Sequence, residues 1–293
     1  MSVSPLQALT IDQLRQRSST KWRTHPADVL PLFVAETDFP LAPAITAVLA
    51  RAIELGDTGY TPPDPGIRDA FAAFAQRRLG WTVDPARVRT TCDVMMGVVE
   101  VLRQVIEPGD RVITTPPVYP PFDMCIEEAG GVVERVPLVD NGVGWELDLA
   151  GIESAFAAGA RSILLCNPHN PTGTVHTRES LAALAELAER FGATVVSDEI
   201  HAPLTQPGIV FTPFLAVSDA AASVLGEGEG VDSGVGLKGA RLSSMSLGVG
   251  VARWWWPEQA TRPPPCWPMR RRKSGCSITT WTTVIPAWQW RSG

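Results

Sequence analysis

Between residues 42 and 200 the chain alternates two kinds of apolar spacing. In "APAITAVLARAIEL" (42–55) apolar residues recur three and four apart, which lines one face of a helix, and Gly56 stands where a left-handed C-cap belongs. "IRDAFAAFAQRRLG" (67–80), "MMGVVEVLRQVIEPGD" (95–110), residues 121–129, "LAGIESAFAAG" (149–159) and "RESLAALAELAERFG" (178–192) read as helices on the same grounds. The intervening runs "RVRTT" (87–91), the start of "RVITTPPVYPPF" (111–122), "GVVERVPL" (131–138), "RSILLCNP" (161–168) and "ATVVSDEI" (193–200) are short. The last of these is apolar almost without interruption, as a strand buried on both faces must be. Strands alternating with helices predict an α/β fold of three layers, α/β/α, around a mainly parallel sheet. Ligands of such sheets sit at the carboxyl ends of the strands.

Four polar clusters fall at those ends. Gly97 and Val98 follow a predicted strand near a helix start, where free N–H groups attract anions and a glycine lets a phosphate approach the backbone. An ordinary strand–helix turn would read the same way. Tyr119, one of two tyrosines, lies in "PPVYPPF", whose prolines stiffen the loop and hold the ring in a fixed pose, for stacking on a flat ligand or for packing alone. "NPHNPTG" (167–173) presents Asn167 and Asn170 in a rigid loop, and an amide side chain can donate to or accept from a ring oxygen. "SDEIH" (197–201) puts Asp198 and Glu199 at the end of a buried strand. A carboxylate there needs a cation, such as a protonated ring nitrogen, unless it serves as a cap or an ion-pair partner. His201 is either a further donor to the same ligand or a loop residue. Together the clusters meet the needs of pyridoxal phosphate: a phosphate seat, an aromatic face, a hydroxyl partner and an acid for the ring nitrogen.

Composition narrows the class. Of 293 residues, 45% are hydrophobic and 19% charged, enough for a substantial core. The net charge of −6 argues against nucleic acid or an anionic membrane as partner. The five cysteines include no C-x-x-C pair, no run of membrane-spanning length occurs, and the first residues lack a signal-peptide core, so a cytoplasmic enzyme without a metal site is expected. Gly234, Gly236 and Gly239 spell G-x-G-x-x-G, but the preceding "EGEGVD" cannot make the buried strand that a nucleotide loop requires. From about residue 224 the pattern changes. Seven of ten tryptophans lie between Trp254 and Trp290, beside "PPP" and "RRRK", with neither helical nor strand period. The expected organisation is an N-terminal arm (1–41), a large α/β domain (42–223) and an anomalous tail (224–293).

In order and wording the motifs resemble the fold-type-I pyridoxal-phosphate enzymes of the class I/II aminotransferase superfamily. "STKWRTHPADVLPLFVAETDFPLAP", "DTGYT", "TPPVYPPF", "CNPHNPTG" and "SDEIHAPL" are similar to those of PatB/MalY-type carbon–sulfur lyases, the cystathionine β-lyase group. The resemblance covers about residues 15–223. It implies Asp198 at the pyridine nitrogen, Asn170 at the ring hydroxyl, Tyr119 on the ring face, and Gly97 and Val98 at the phosphate. It further implies Tyr60 reaching a phosphate across a homodimer interface. His201 stands where aminotransferases commonly carry tyrosine, which favours β-elimination on a sulfur-bearing L-amino acid over amino transfer.

The Schiff-base lysine breaks the resemblance. The chain has only Lys21, Lys238 and Lys273. Lys238, in "GLKGA", matches the second lysine of the family's motif and is a weak substitute for the first, whose position falls near Glu229 or Gly230. A shift of reading frame accounts for this: codons for Gly-Glu-Gly-Val, read one base later, can spell Ala-Lys-Ala-Trp. A second shift after about Leu247 would replace the family's small C-terminal domain with the tail. Two readings follow, a lyase impaired in this sequence or a remnant acting only by binding. Resequencing the gene through this region is expected to reveal the interrupted frame. An intact frame, with a matching mass for the native protein, overturns it.

Overall fold

The computed structural model describes residues 7–60 and 66–217, and the backbone of 242–245 and 251–253. The chain divides into two compact units, Met1–Phe74 and Ala75–Gly293. In the first, α1 (Ile11–Leu14) opens with a capping box: the Thr10 side chain accepts the Gln13 N–H while the Gln13 side chain accepts the Thr10 N–H. Next come α2 (Thr20–Arg23) and α3 (Pro43–Leu55), which ends at Gly56 in the expected left-handed conformation, φ 62°. None of α3 is buried. Lys21 is buried and committed: its Nζ donates to both Asp38 carboxylate oxygens at 3.0 and 2.9 Å and to the Glu36 carbonyl at 2.9 Å. The boundary between the units falls within α4 (Ile67–Leu79).

The second unit continues with β1 (Val88–Thr90), α5 (Val94–Val105), β2 (Arg111–Thr114), α6 (Pro121–Glu128) and β3 (Val132–Arg135). After a hairpin of β4 (Val139–Asp140) and β5 (Trp145–Glu146) come α7 (Leu149–Ala157), β6 (Ser162–Cys166), α8 (Arg178–Phe191) and β7 (Thr194–Asp198). Two backbone strands follow, β8 (Leu242–Met245) and β9 (Val251–Arg253). The sheet order is β1-β9-β8-β7-β6-β2-β3; β9 runs antiparallel to both neighbours and all other pairs are parallel. The predicted strands and helices of residues 87–200 are all present. The hairpin, α1 and α2 are too short to leave a period in the sequence. β8 and β9 lie within the segment expected as an anomalous tail; they join through backbone pairing, which needs no apolar period. The remainder of 218–293, including Glu229, Gly230, Lys238 and Lys273, lies outside the described residues.

The expected three layers are explained by side-chain alternation. Ile113, Ile163, Leu165 and Val195 face a core completed by Ile152 and Phe156 of α7 and Leu181 and Leu184 of α8. Their neighbours Val112, Leu164, Cys166 and Val196 face the opposite core, with Val98 and Leu102 of α5 and Phe122 and Ile126 of α6. Every residue of β6 and β7 is buried, which is why "SILLC" and "TVVSD" carry little polar alternation. No helix among the described residues is long and apolar enough to cross a membrane. Since Leu164 is fully buried in the interior strand β6, Leu164→Ala is expected to cost about 2–5 kcal/mol in urea unfolding. A loss under half a kcal/mol would place this strand outside the core.

Candidate active site

Parallel pairing brings the carboxyl ends of β2, β6 and β7 to one edge. Cys166 and Asp198 are partners in the ladder, and the Asn167 N–H extends it by donating to the Asp198 carbonyl at 2.9 Å. The loop 167–173 therefore leaves the sheet directly beside Asp198.

The paired acids and the paired amides of the sequence differ in their partners here. Glu199 is fully buried, and its Oε1 accepts the Phe214 N–H at 2.7 Å and the Ser197 hydroxyl at 3.1 Å, so it ties the strand end to a later turn. Asp198 is also buried, at 5% exposure; its Oδ1 accepts the Ile200 N–H at 3.1 Å, and it forms no ion pair among the described residues. Burial pushes its carboxyl up to about 6, against the smaller opposing pull of the Ile200 N–H. Of the two asparagines, Asn167 is spent on structure: Oδ1 accepts the His176 N–H at 3.2 Å and Nδ2 donates to the Thr212 carbonyl at 3.4 Å. Asn170 is half-buried, anchored by its backbone N–H to the Cys166 sulfur at 3.3 Å.

Tyr119 precedes α6, accepts the Phe122 N–H at 3.1 Å through its carbonyl and rests its ring edge-to-face on Phe122, centroids 6.0 Å apart. Because Phe122 is fully buried, the tyrosine is half-exposed yet fixed to the core. Gly97 is the fourth residue of α5, and its N–H already donates to the Asp93 carbonyl at 3.2 Å; Val98 is buried in the core. The helix opens at Asp93, whose carboxylate caps the Met96 N–H at 2.8 Å, so the N–H groups of Val94 and Met95 stand nearest the helix end. Cys125 of α6 lies at this opening, within reach of the charges of both Asp93 and Asp198. The Cys125 sulfur is 3.9 Å from the Met95 carbonyl, and its thiol is raised to about 11 by burial first and then by the charges of Asp93, Asp198 and Glu128. His201 is half-buried at the head of a one-turn 3₁₀ segment, Ala202–Leu204, with its carbonyl accepting the Leu204 N–H at 2.9 Å. Tyr60 belongs to the first unit and is fully exposed.

Sequence reasoning passed over several polar residues at this edge. The hydroxyls of Thr114 and Thr115 are buried without a hydrogen-bond partner among the described residues. His169 and His176 are buried with their rings in edge contact, centroids 5.6 Å apart. Burial lowers both, His176 to about 4. The Asp93 cap was legible, as an acid three residues before Met96 at a helix start; the threonines and histidines carry no such spacing.

The family model for class I and II aminotransferases matches residues 27–225, and the chain belongs to that family. Within it, the similarity runs to cystathionine β-lyases. A Mycobacterium leprae protein provisionally named cystathionine beta-lyase is 48% identical over 229 residues, 75% of this chain and 56% of its own length. The cystathionine beta-lyase of Corynebacterium glutamicum is 39% identical over 198 residues, 68% of this chain and 52% of its own. A crystal structure from Corynebacterium diphtheriae, provisionally named a PLP-dependent β-cystathionase, superposes with a TM-score of 0.71 at 33% identity, covering 82% of this chain and 58% of that one. The chain thus spans about half the length of the curated relatives it matches.

The raised Asp198 carboxyl has a consequence for stability. The fold prefers its neutral form, so its contribution is intact below the ordinary value of 3.8 and is lost as pH rises through about 6. The whole shift corresponds to about 3 kcal/mol. In ligand-free protein Asp198→Asn is expected to raise the urea-unfolding free energy by up to that amount at pH 7.5 and by almost nothing at pH 4. Equal effects at the two pH values would refute a desolvated carboxyl.

Proposed function

We propose that the chain carries the cofactor half of a pyridoxal-phosphate-dependent carbon–sulfur β-lyase. The whole protein would act on cystathionine or a related L-cysteine S-conjugate, releasing thiol, pyruvate and ammonia. One observation carries the reading: a buried carboxylate, Asp198, forms no ion pair among the described residues at the carboxyl edge of a parallel sheet, beside the loop bearing Asn170, which His169 joins to the loop bearing Tyr119. A protonated ring nitrogen is the charge that such a group lacks, so the donor set fits the cofactor. Asp198 would hold that nitrogen and keep its proton in place. Asn170 would meet the ring hydroxyl and Tyr119 the ring face, and His201 would approach from the 3₁₀ turn. The phosphate would lie at the opening of α5, near Gly97 and Val98, where the N–H groups of Val94 and Met95 have no partner within the helix. The cofactor when bound supplies an electron-accepting ring for the substrate's α-carbon. The relatives' names support this substrate class, and the β-cystathionase is named as PLP-dependent.

Homodimerisation through Tyr60, a cytoplasmic location, and the division into arm, large domain and tail belong to the same proposal. An aminotransferase is the second reading, favoured by the family match itself; His201 in the place of the usual tyrosine weighs against it. For the full chain, titration with pyridoxal phosphate is expected to show saturable binding that Asp198→Ala weakens at least about tenfold, about 1.4 kcal/mol. After borohydride reduction, peptide mapping should find no adduct in residues 226–232. An adduct at Lys238 would assign that lysine the covalent role. Absence of wild-type binding, or binding indifferent to Asp198, overturns the proposal. With cystathionine, pyruvate release without an added keto acid separates lyase from aminotransferase.

A further inference from the structure

We infer that His169 is a positioning residue that ties the Tyr119 loop to the Asn170 loop and so sets the spacing across the site; this rests on the function proposed above. The Tyr119 loop has few donors of its own with which to reach its neighbours. Pro116, Pro117, Pro120 and Pro121 carry no N–H, so between Thr115 and Phe122 only Val118 and Tyr119 can donate. The loop must be fastened through its carbonyls. Pro116 accepts the Leu138 N–H at 2.8 Å, and Pro117 meets the His169 ring at Nε2, 2.9 Å away.

A carbonyl only accepts, so the ring bears its proton on Nε2. Burial disfavours the charged imidazole, against the weaker pull of the carbonyls of Pro117, Cys166 and Thr115, and the neutral donor form therefore persists at neutral pH. The backbone of the same residue closes its own loop: the His169 N–H donates to the Thr174 carbonyl and its carbonyl accepts the Gly173 N–H, both at 2.7 Å. The ring is 1% exposed and backed edge-on by His176, whose own N–H is held by Asn167. One residue thus closes the loop bearing Asn170 and reaches over to the loop bearing Tyr119.

The test compares His169→Gln, His169→Asn and His169→Phe in the full chain. Gln retains a donor of sufficient reach, Asn is too short, and Phe keeps the ring without the donor. Hydrogen exchange of a peptide covering Val118–Phe122 is expected to quicken about tenfold or more in the Asn and Phe variants and to stay near wild type in Gln. The dissociation constant for pyridoxal phosphate should follow the same order. If Phe fails to fold, the contrast between Asn and Gln decides. Equal exchange in every folded variant overturns the inference. Wild-type protein that binds no pyridoxal phosphate defeats the proposed function alone, because the exchange comparison still tests the tie. Wild-type binding combined with affinities that ignore residue 169 defeats the inference alone.

Discussion

A parallel strand cannot turn straight back into its neighbour, and most of what this chain can do follows from that. Each crossover must pass over a face of the sheet, so the carboxyl ends of β2, β6 and β7 arrive at one edge. The faces belong to helices and apolar contacts, and the edge is left for polar chemistry. Asp198 sits at that edge because "TVVSD" is buried along its whole length and the acid is its last residue. Its position costs stability in the absence of a cation, whereas a bound cationic ring turns the same burial into specificity, because little water remains to screen the pair.

Each polar motif then divides its labour between neighbours. In "SDEIH", Glu199 spends its carboxylate on Phe214 and Ser197, while the Asp198 carboxylate accepts the Ile200 N–H as its one hydrogen bond among the described residues. In "NPHNPTG", Asn167 is spent on His176 and Thr212 and His169 reaches Pro117, while Asn170 is held among the described residues through its backbone. A site residue held by its own side chain would lose a bond each time it met a ligand. Here the rigid partner carries that load, and the adjacent residue remains free to change partners. The residues doing the holding are as buried as the core, which a flexible loop tip would not allow.

The sequence conveyed the layers and the edge because both arise from local patterns: apolar runs of strand length, helices of regular period, and glycine C-caps such as Gly56 and Gly192. Local pattern did not separate Asp198 from Glu199 or Asn167 from Asn170, which only the family resemblance distinguished, because partners such as Phe214 and Thr212 lie 15 and 45 residues further along. The histidines were missed for the same reason, as the His169–Pro117 contact spans 52 residues. Gly97 was legible as a helix-start residue only to within a turn: Asp93 begins the cap earlier, so the first amides fall to Val94 and Met95. β8 and β9 could not be read at all, since backbone pairing selected segments that side-chain periodicity does not mark.

The separation between holding a cofactor and reacting through it is also written into this chain. Every candidate contact apart from Tyr60 comes from residues 93–201 and depends on hydrogen bonds and on the burial that the core beneath enforces. None of these depends on a covalent bond to lysine. Such a bond adds affinity and reactivity to a cradle that is already shaped, as a second anchor adds to a first. Under the proposed function, a change at the expected lysine would therefore bear on the chemical step far more than on the fold. A carboxylate buried as Asp198 is favours a cationic partner, whatever residue occupies position 230.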